Sequence, residues 1–176
     1  MSDAELLNDS LLPIMLNVRG LPILVVGGGA VATRKVLTML ACGADTISVV
    51  APRLHAGLQS AVEAGQITYH NRGFAKADLT AARVVVVATD VPAVNAQVGD
   101  LCREMQRLCL RLDQAPAGDG ILPATLRSGP IVASVATGDP ATTRTLRDAL
   151  QPVLDDHADV ATDAATARQA AKRDLT

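Results

Sequence analysis

A chain of 176 residues can bury a substantial core without disulfides, and its length suits one α/β domain with a small appendage better than two full domains. Sixteen Lys and Arg against eighteen Asp and Glu leave a net charge of −2 with the signs mixed along the chain, so there is no polybasic footprint for nucleic acid or for an anionic membrane. Nearly half the residues are apolar, yet there is no Trp, one Tyr and one Phe, which removes the stacking platforms that single-stranded nucleic acid requires.

Residues 1–20 read as a lead-in that ends in the turn Arg19-Gly20, and its acidic Asp3 and Glu5 are unlike the basic opening of a secretory leader. Leu21–Val26 is a compact apolar run bounded by glycines, the pattern of a strand buried on both faces. Behind it, Ala32, Val36, Met39 and Leu40 recur at i, i+4, i+7 and i+8, one stripe of a helix that Gly43 closes. Strand-like Thr46–Ala51, helix-like Leu54–Ala64 and strand-like Ile67–Asn71 follow, then a loop from Phe74 to Leu79, the strand Arg83–Ala88 and a helix from about Val94 to Arg107. Leu108–Leu112 is a further strand and Gln114–Gly120 a loop, after which Ile121–Leu126 and Ile131–Val135 form a hairpin about Ser128-Gly129-Pro130. Asp139 can cap and Pro140 can occupy the first helical position, so helix is expected from there to the end, including the Ala-rich stretch 159–171.

Strands alternating with helices imply βαβ units, hence an α/β fold: a Rossmann-type parallel sheet with a small β-hairpin dimerisation segment and C-terminal helices. The expected division is a nucleotide-binding domain over 1–112, a central dimerisation and substrate segment over 113–142, and a helical region over 143–176. Cys42, Cys102 and Cys109 lie in apolar surroundings without a C-x-x-C pair and read as buried reduced thiols. His55, His70 and His157 are too scattered to form a ligand cluster, so no protein-bound metal is expected. No uncharged apolar run approaches the roughly 20 residues of a membrane span, and a cytoplasmic protein is the expectation.

The pattern Gly27-x-Gly29-x-x-Ala32 follows a strand and opens a helix, the context that gives a glycine motif its meaning. Gly27 permits the tight turn, Gly29 lets backbone approach a pyrophosphate, and Ala32 is small enough for close helix–strand packing, while the helix N-terminus offers free N–H groups. The second strand ends Val49-Val50-Ala51-Pro52-Arg53 without the acidic residue that usually grips an adenosine ribose, and Asp45 comes too early. Backbone near Ala51 and Pro52 is left to hold the ribose, Arg53 would tolerate a 2′-phosphate, and NAD is favoured over NADP only modestly.

The run Gly27-Gly28-Gly29-Ala30-Val31-Ala32-Thr33-Arg34-Lys35 resembles the G-G-G-x-V-A-x-R-K opening of the precorrin-2 dehydrogenases, which include the dehydrogenase part of siroheme synthase. Val50-Ala51-Pro52, Arg72-x-Phe74 with Asp78-Leu79, and Ala88-Thr89-Asp90 with Val94-Asn95 continue the likeness, which runs from about Leu12 to Asp148. Asp113, ten residues before Pro123, sits where that family places its essential aspartate. Leu110 stands where the family commonly has Asn, and Thr137-Gly138-Asp139-Pro140-Ala141-Thr142 stands in for its S/T-G-G-x-S-P turn.

The resemblance implies NAD-dependent oxidation of precorrin-2 to sirohydrochlorin in sirohaem biosynthesis, with some members also inserting ferrous iron, and a homodimer. It implies cofactor contacts at Gly27, Gly28, Gly29, Ala30, Val31, Ala51, Pro52 and Thr89. Asp113 is the candidate proton acceptor, since it follows a strand and so stands at the carboxyl edge where open α/β sheets bind ligands. A carboxylate-rich tetrapyrrole needs local cations and hydroxyls, for which Arg34, Lys35, Arg127, Ser134 and Thr137 are the candidates, with Arg72 and Arg144 as further cations. Each is also readable as surface charge or as a strand-finishing hydroxyl. A bifunctional enzyme that also chelates iron and a non-catalytic NAD-sensing module remain as alternatives. A small reductase of the Tyr-x-x-x-Lys kind is not, because Tyr69 is followed at that spacing by Gly73.

Overall fold

The structure, a computed structural model, describes residues 11–173, so the acidic start at Asp3 and Glu5 lies outside the described residues. The chain separates into a unit spanning Leu11–Leu122 and one that holds Pro123 onward.

In the first unit five strands, β1 (Ile23–Val26), β2 (Ile47–Ala51), β3 (Thr68–Asn71), β4 (Val84–Val87) and β5 (Leu108–Arg111), pair in the order β3-β2-β1-β4-β5, all parallel. Val25 stands opposite both Val49 and Val86, which puts β1 at the centre. Every residue of β1 and β4 is buried, so both faces demand apolar side chains and the sequences ILVV and VVVV show no alternation. The crossover helices are α1 (Ala30–Ala41), the short α2 (Gln59–Glu63) and α3 (Pro92–Glu104). Ala32, Val36 and Met39 of α1 pack with Ile23, Val25, Val49 and Val86 on one face, while Val98 and Cys102 of α3 pack with Leu24, Val26, Val85 and Val87 on the other. The sheet is thereby covered on both sides, as the Rossmann-type expectation required.

Helix α1 ends as its sequence dictates. Gly43, at φ +87°, donates its N–H to the Leu40 carbonyl at 2.9 Å, and Ala44 donates to Met39 at 3.0 Å, so one left-handed residue turns the chain back onto the last carbonyls of the helix. Replacing Gly43 with Ala is expected to cost about 1 kcal/mol, which thermal unfolding reads as a Tm lowered by about 2–4 °C.

Elsewhere the elements differ from the sequence reading. The expected helix over 54–64 is only a single 3₁₀ turn, Ala56–Leu58, followed by α2. Its first residues are held extended because the His55 N–H donates to the Gly28 carbonyl at 2.8 Å, and the His55 ring then caps the 3₁₀ turn by accepting from the Gly57 N–H. Helix α3 starts at Pro92, ahead of the expected Val94, and stops at Glu104 because Gln106 turns left-handed at φ +53°. Cys102 and Cys109 are buried free thiols between α3 and β5, whereas Cys42 at the end of α1 is only half-buried.

In the second unit β6 (Ala124–Ser128) and β7 (Ile131–Val135) form the expected antiparallel hairpin, Ser128 opposite Ile131 across Gly129 and Pro130. The first strand begins at Ala124 rather than Ile121, as Pro123 has no N–H to give a ladder. The helical run is two helices, α4 (Pro140–Asp156) and α5 (Ala158–Arg173), separated at His157. Asp139 caps α4 by accepting from the Thr142 N–H at 2.6 Å, and Pro140 takes the first position. Helix α4 lies on the hairpin, where the Gln151 amide donates to the Arg127 carbonyl at 3.1 Å. Leu146, Leu150 and Val153, at i, i+4 and i+7 along α4, nevertheless stay exposed. No helix among the described residues is long and apolar enough to cross a membrane.

Candidate functional site

Strand order reverses between β1 and β4, and the turn after β1 is wedged there between the carboxyl ends of β2 and β4. The Gly27 N–H donates to the Val50 carbonyl at 3.0 Å, and the Ala88 N–H to the Val26 carbonyl at 2.8 Å. A Cβ on Gly27, whose φ is +119°, would overlap the Ala88 carbonyl and stand 3.1 Å from the Thr89 nitrogen. On Gly28 it would overlap the Arg53 carbonyl and stand 2.9 Å from the Ala51 Cβ. These two glycines are thus required by the chain itself.

Gly29 is not. Its backbone is extended at φ −81°, and an added Cβ would meet nothing within 4 Å. It opens onto the head of α1, where no side chain caps the helix and no acidic residue sits in the first turn. Among the described residues nothing accepts from the N–H groups of Ala30, Val31 or Ala32. Unsatisfied amides at the positive end of a helix, behind a glycine with free space before it, make a cradle for an anion.

A polar network spans the ends of the next two strands, β4 and β5. Thr89, just past β4, donates its hydroxyl to the Asn95 side-chain oxygen at 2.5 Å, and the Asn95 amide returns a bond to the Thr89 carbonyl at 3.0 Å. Asn95, on the first turn of α3, is 1% exposed. Asp113, two residues past β5, is gripped by the Arg111 guanidinium, with Nε 3.1 Å from Oδ1 and Nη2 2.6 Å from Oδ2. The Arg111 side chain is 8% exposed and that of Asp113 27%. The Arg111 fork, helped by the Asn95 side chain and opposed by burial, holds the Asp113 carboxyl below the ordinary carboxylate range. Because the folded value is lowered, the stability this pair contributes is present above the ordinary carboxylate range and is lost as pH falls through the lowered value.

The remaining candidates divide. The Ala51 carbonyl already accepts from the Tyr69 hydroxyl at 3.0 Å, and Pro52 beyond it is exposed. Arg34 is exposed on α1, but the ammonium of its neighbour Lys35 donates to the Leu122 carbonyl at 3.1 Å, and burial, then the Arg34 charge, lower its pKa. Arg72 makes a two-point pair with Asp78 at 2.9 and 2.5 Å, which with the Ala75 N–H shapes the loop before β4. In the second unit Arg127 and Ser134 are exposed on the hairpin, while the Thr137 hydroxyl donates to the Asp139 carbonyl at 2.7 Å inside the turn before α4. Asp45, too early for a ribose, instead accepts from the Gly20 N–H at 2.7 Å. Sequence reasoning missed Arg111 and the part Asn95 plays beside it. The available signal was a lone arginine closing an apolar strand two residues before the aspartate.

A family described as putative NAD(P)-binding matches residues 14–124. The siroheme synthase of Actinobacillus pleuropneumoniae serotype 7 is 34% identical over 157 residues, 88% of this chain and 32% of the relative. That of Nitrosococcus oceani is 37% identical over 145 residues, 81% of this chain and 31% of the relative. The chain therefore spans about a third of the length of these curated relatives. The solved structure of SirC, a precorrin-2 dehydrogenase, matches with a TM-score of 0.72 at 28% identity, covering 85% of this chain and 74% of that one.

Proposed function

The chain belongs to the putative NAD(P)-binding family, and on that premise we propose that it uses NAD to oxidise precorrin-2 to sirohydrochlorin, a step of sirohaem biosynthesis. The observation that carries the reading is an ionised Asp113 held at the carboxyl edge of the sheet, just past β5, the strand next to the one that flanks the glycine turn. The names of the similar proteins supply the substrate class.

The residues fit a dinucleotide. Gly29 leaves room for a diphosphate, the amides of Ala30 and Val31 face it unpaired, and the first turn carries no carboxylate to repel it. Gly27, Gly28, Ala51 and Pro52 shape the floor and the adenosine side, and Thr89 borders the switch point at the end of β4. Bound NAD supplies a hydride acceptor. The protein's own part is to orient the macrocycle, exclude water and take up the proton that leaves it, which falls to the Asp113 carboxylate. Arg34 and Lys35 of the first unit are candidate partners of substrate carboxylates, and Arg127, Ser134 and Thr137 of the second unit are separate candidates for the same chemistry. Of these, Lys35 and Thr137 must give up an internal hydrogen bond to take part.

The exposed Leu146, Leu150 and Val153 stripe supports a homodimer in which a second copy covers α4. Size-exclusion with light scattering is expected to give twice the monomer mass at micromolar concentration; a monomer there contradicts the dimer. The activity is tested by incubating the chain with precorrin-2 and NAD, with and without ferrous iron, and following absorption. Sirohydrochlorin formed in step with NADH is the expected result, and its absence rejects the reading. A further spectral change only when iron is present would add chelation.

A further inference from the structure

We propose that Arg111 is a positioning residue for this reaction, its buried guanidinium fork gripping both oxygens of Asp113 and fixing where the carboxylate points beyond the end of β5. The inference rests on the reading of Asp113 as proton acceptor.

A guanidinium with this little exposure is stable only when paired, and for folding alone an apolar pair at positions 111 and 113 would serve as well as this ion pair. The surroundings are arranged to seat it. Gly99 lies inside α3, where glycine costs about 1 kcal/mol relative to alanine, and a Cβ there would stand 3.3 Å from the Arg111 Cδ and 3.8 Å from its Nη1. The helix keeps a glycine where the arginine stem passes. Asn95, one turn earlier on α3, bears on the same carboxylate while holding Thr89, so the cofactor border and the proton acceptor share one network. Gly118 brings the loop after β5 against the same strand end, since a Cβ there would come within 2.9 Å of the Arg111 nitrogen.

The charged and titratable groups facing the pair are few. Asp113 and Cys109 face Arg111 from β5 and its extension, and Asp100 faces it from α3. Among the described residues, and apart from Arg111, Asp113 meets the neutral Asn95 side chain and its own backbone N–H. The fork therefore sets the working charge of Asp113. It keeps the carboxylate ionised and aimed, and it lowers its basicity in exchange.

The test measures kcat and KM of the full chain for precorrin-2 with saturating NAD over about pH 3–8, which spans the carboxylate range, each variant expressed as a ratio to wild type so that titration of the substrate cancels. Arg111→Met is expected to lower kcat about tenfold or more with KM nearly unchanged, and to move the acid limb of kcat/KM upward by about one pH unit. Arg111→Lys keeps the charge without the fork, so it should restore the limb but not the full kcat. Gly99→Ala crowds the arginine stem by a few tenths of an ångström, and should lower kcat and shift the limb in the same direction by less than Arg111→Met does. Unchanged limbs in Arg111→Met and Gly99→Ala overturn the proposal, as does a loss of turnover that only tracks loss of folded protein. Absence of turnover in the wild type would reject the functional reading itself, a separate result.

Discussion

Asp113→Ala is expected to lower kcat for precorrin-2 oxidation by about 10²–10⁴-fold while NAD still binds. The carboxylate stands past β5, whereas the glycine turn follows β1, with β4 between them, so its loss leaves the diphosphate cradle intact. The substitution also strands the buried Arg111 guanidinium, and breaking such a pair costs roughly 3–5 kcal/mol. Asp113→Asn is the cleaner variant, because the amide keeps the shape and still offers Arg111 one acceptor oxygen while losing the charge that takes up a proton. Steady-state spectra of both variants beside an NAD titration decide the matter. Turnover near wild type in Asp113→Asn would mean that another group, or water, receives the proton.

Gly29→Val is expected to weaken NAD binding by about 100-fold, which corresponds to nearly 3 kcal/mol, with no loss of thermal stability. Among the described residues nothing lies within 4 Å of a Cβ at this position, and its φ of −81° is open to any residue, so the first added carbon has only a ligand to meet. Gly28→Ala is the informative contrast: there the new carbon overlaps the Arg53 carbonyl and presses on Ala51, so stability and binding should fall together. Calorimetry with NAD and thermal unfolding on the same samples separate the two cases. Equal NAD affinity in Gly29→Val and wild type would show that the diphosphate does not pass this glycine.

The sheet was legible because burial on both faces forces unbroken apolar runs, as in β1 and β4, and because glycines and prolines mark the ends of elements by backbone geometry alone. Gly43 and the Asp139-Pro140 start of α4 follow from one residue's conformational preference and needed no tertiary knowledge. The stretch after Pro52 was not legible, since its helical composition is overruled by the bond from His55 to the Gly28 carbonyl, 27 positions away in the chain. Much the same holds at the site. Arg34 is exposed on α1, but the Lys35 ammonium is taken by the Leu122 carbonyl and Arg72 by Asp78, partners that only the fold brings near. Arg111 read as a charge at the end of a strand. Its meaning needed the helix-interior Gly99 packed against it and the carboxylate two residues on.

The central claim is that unpaired amides at the head of α1 hold the diphosphate of NAD. The most direct test is an NMR titration of the uniformly labelled chain with NAD, following backbone amides. Saturable shifts are expected, largest at Gly28, Gly29, Ala30 and Val31 and smaller at Thr89. Saturable binding that leaves the Gly28–Val31 amides unmoved, or no binding at millimolar NAD, would contradict it.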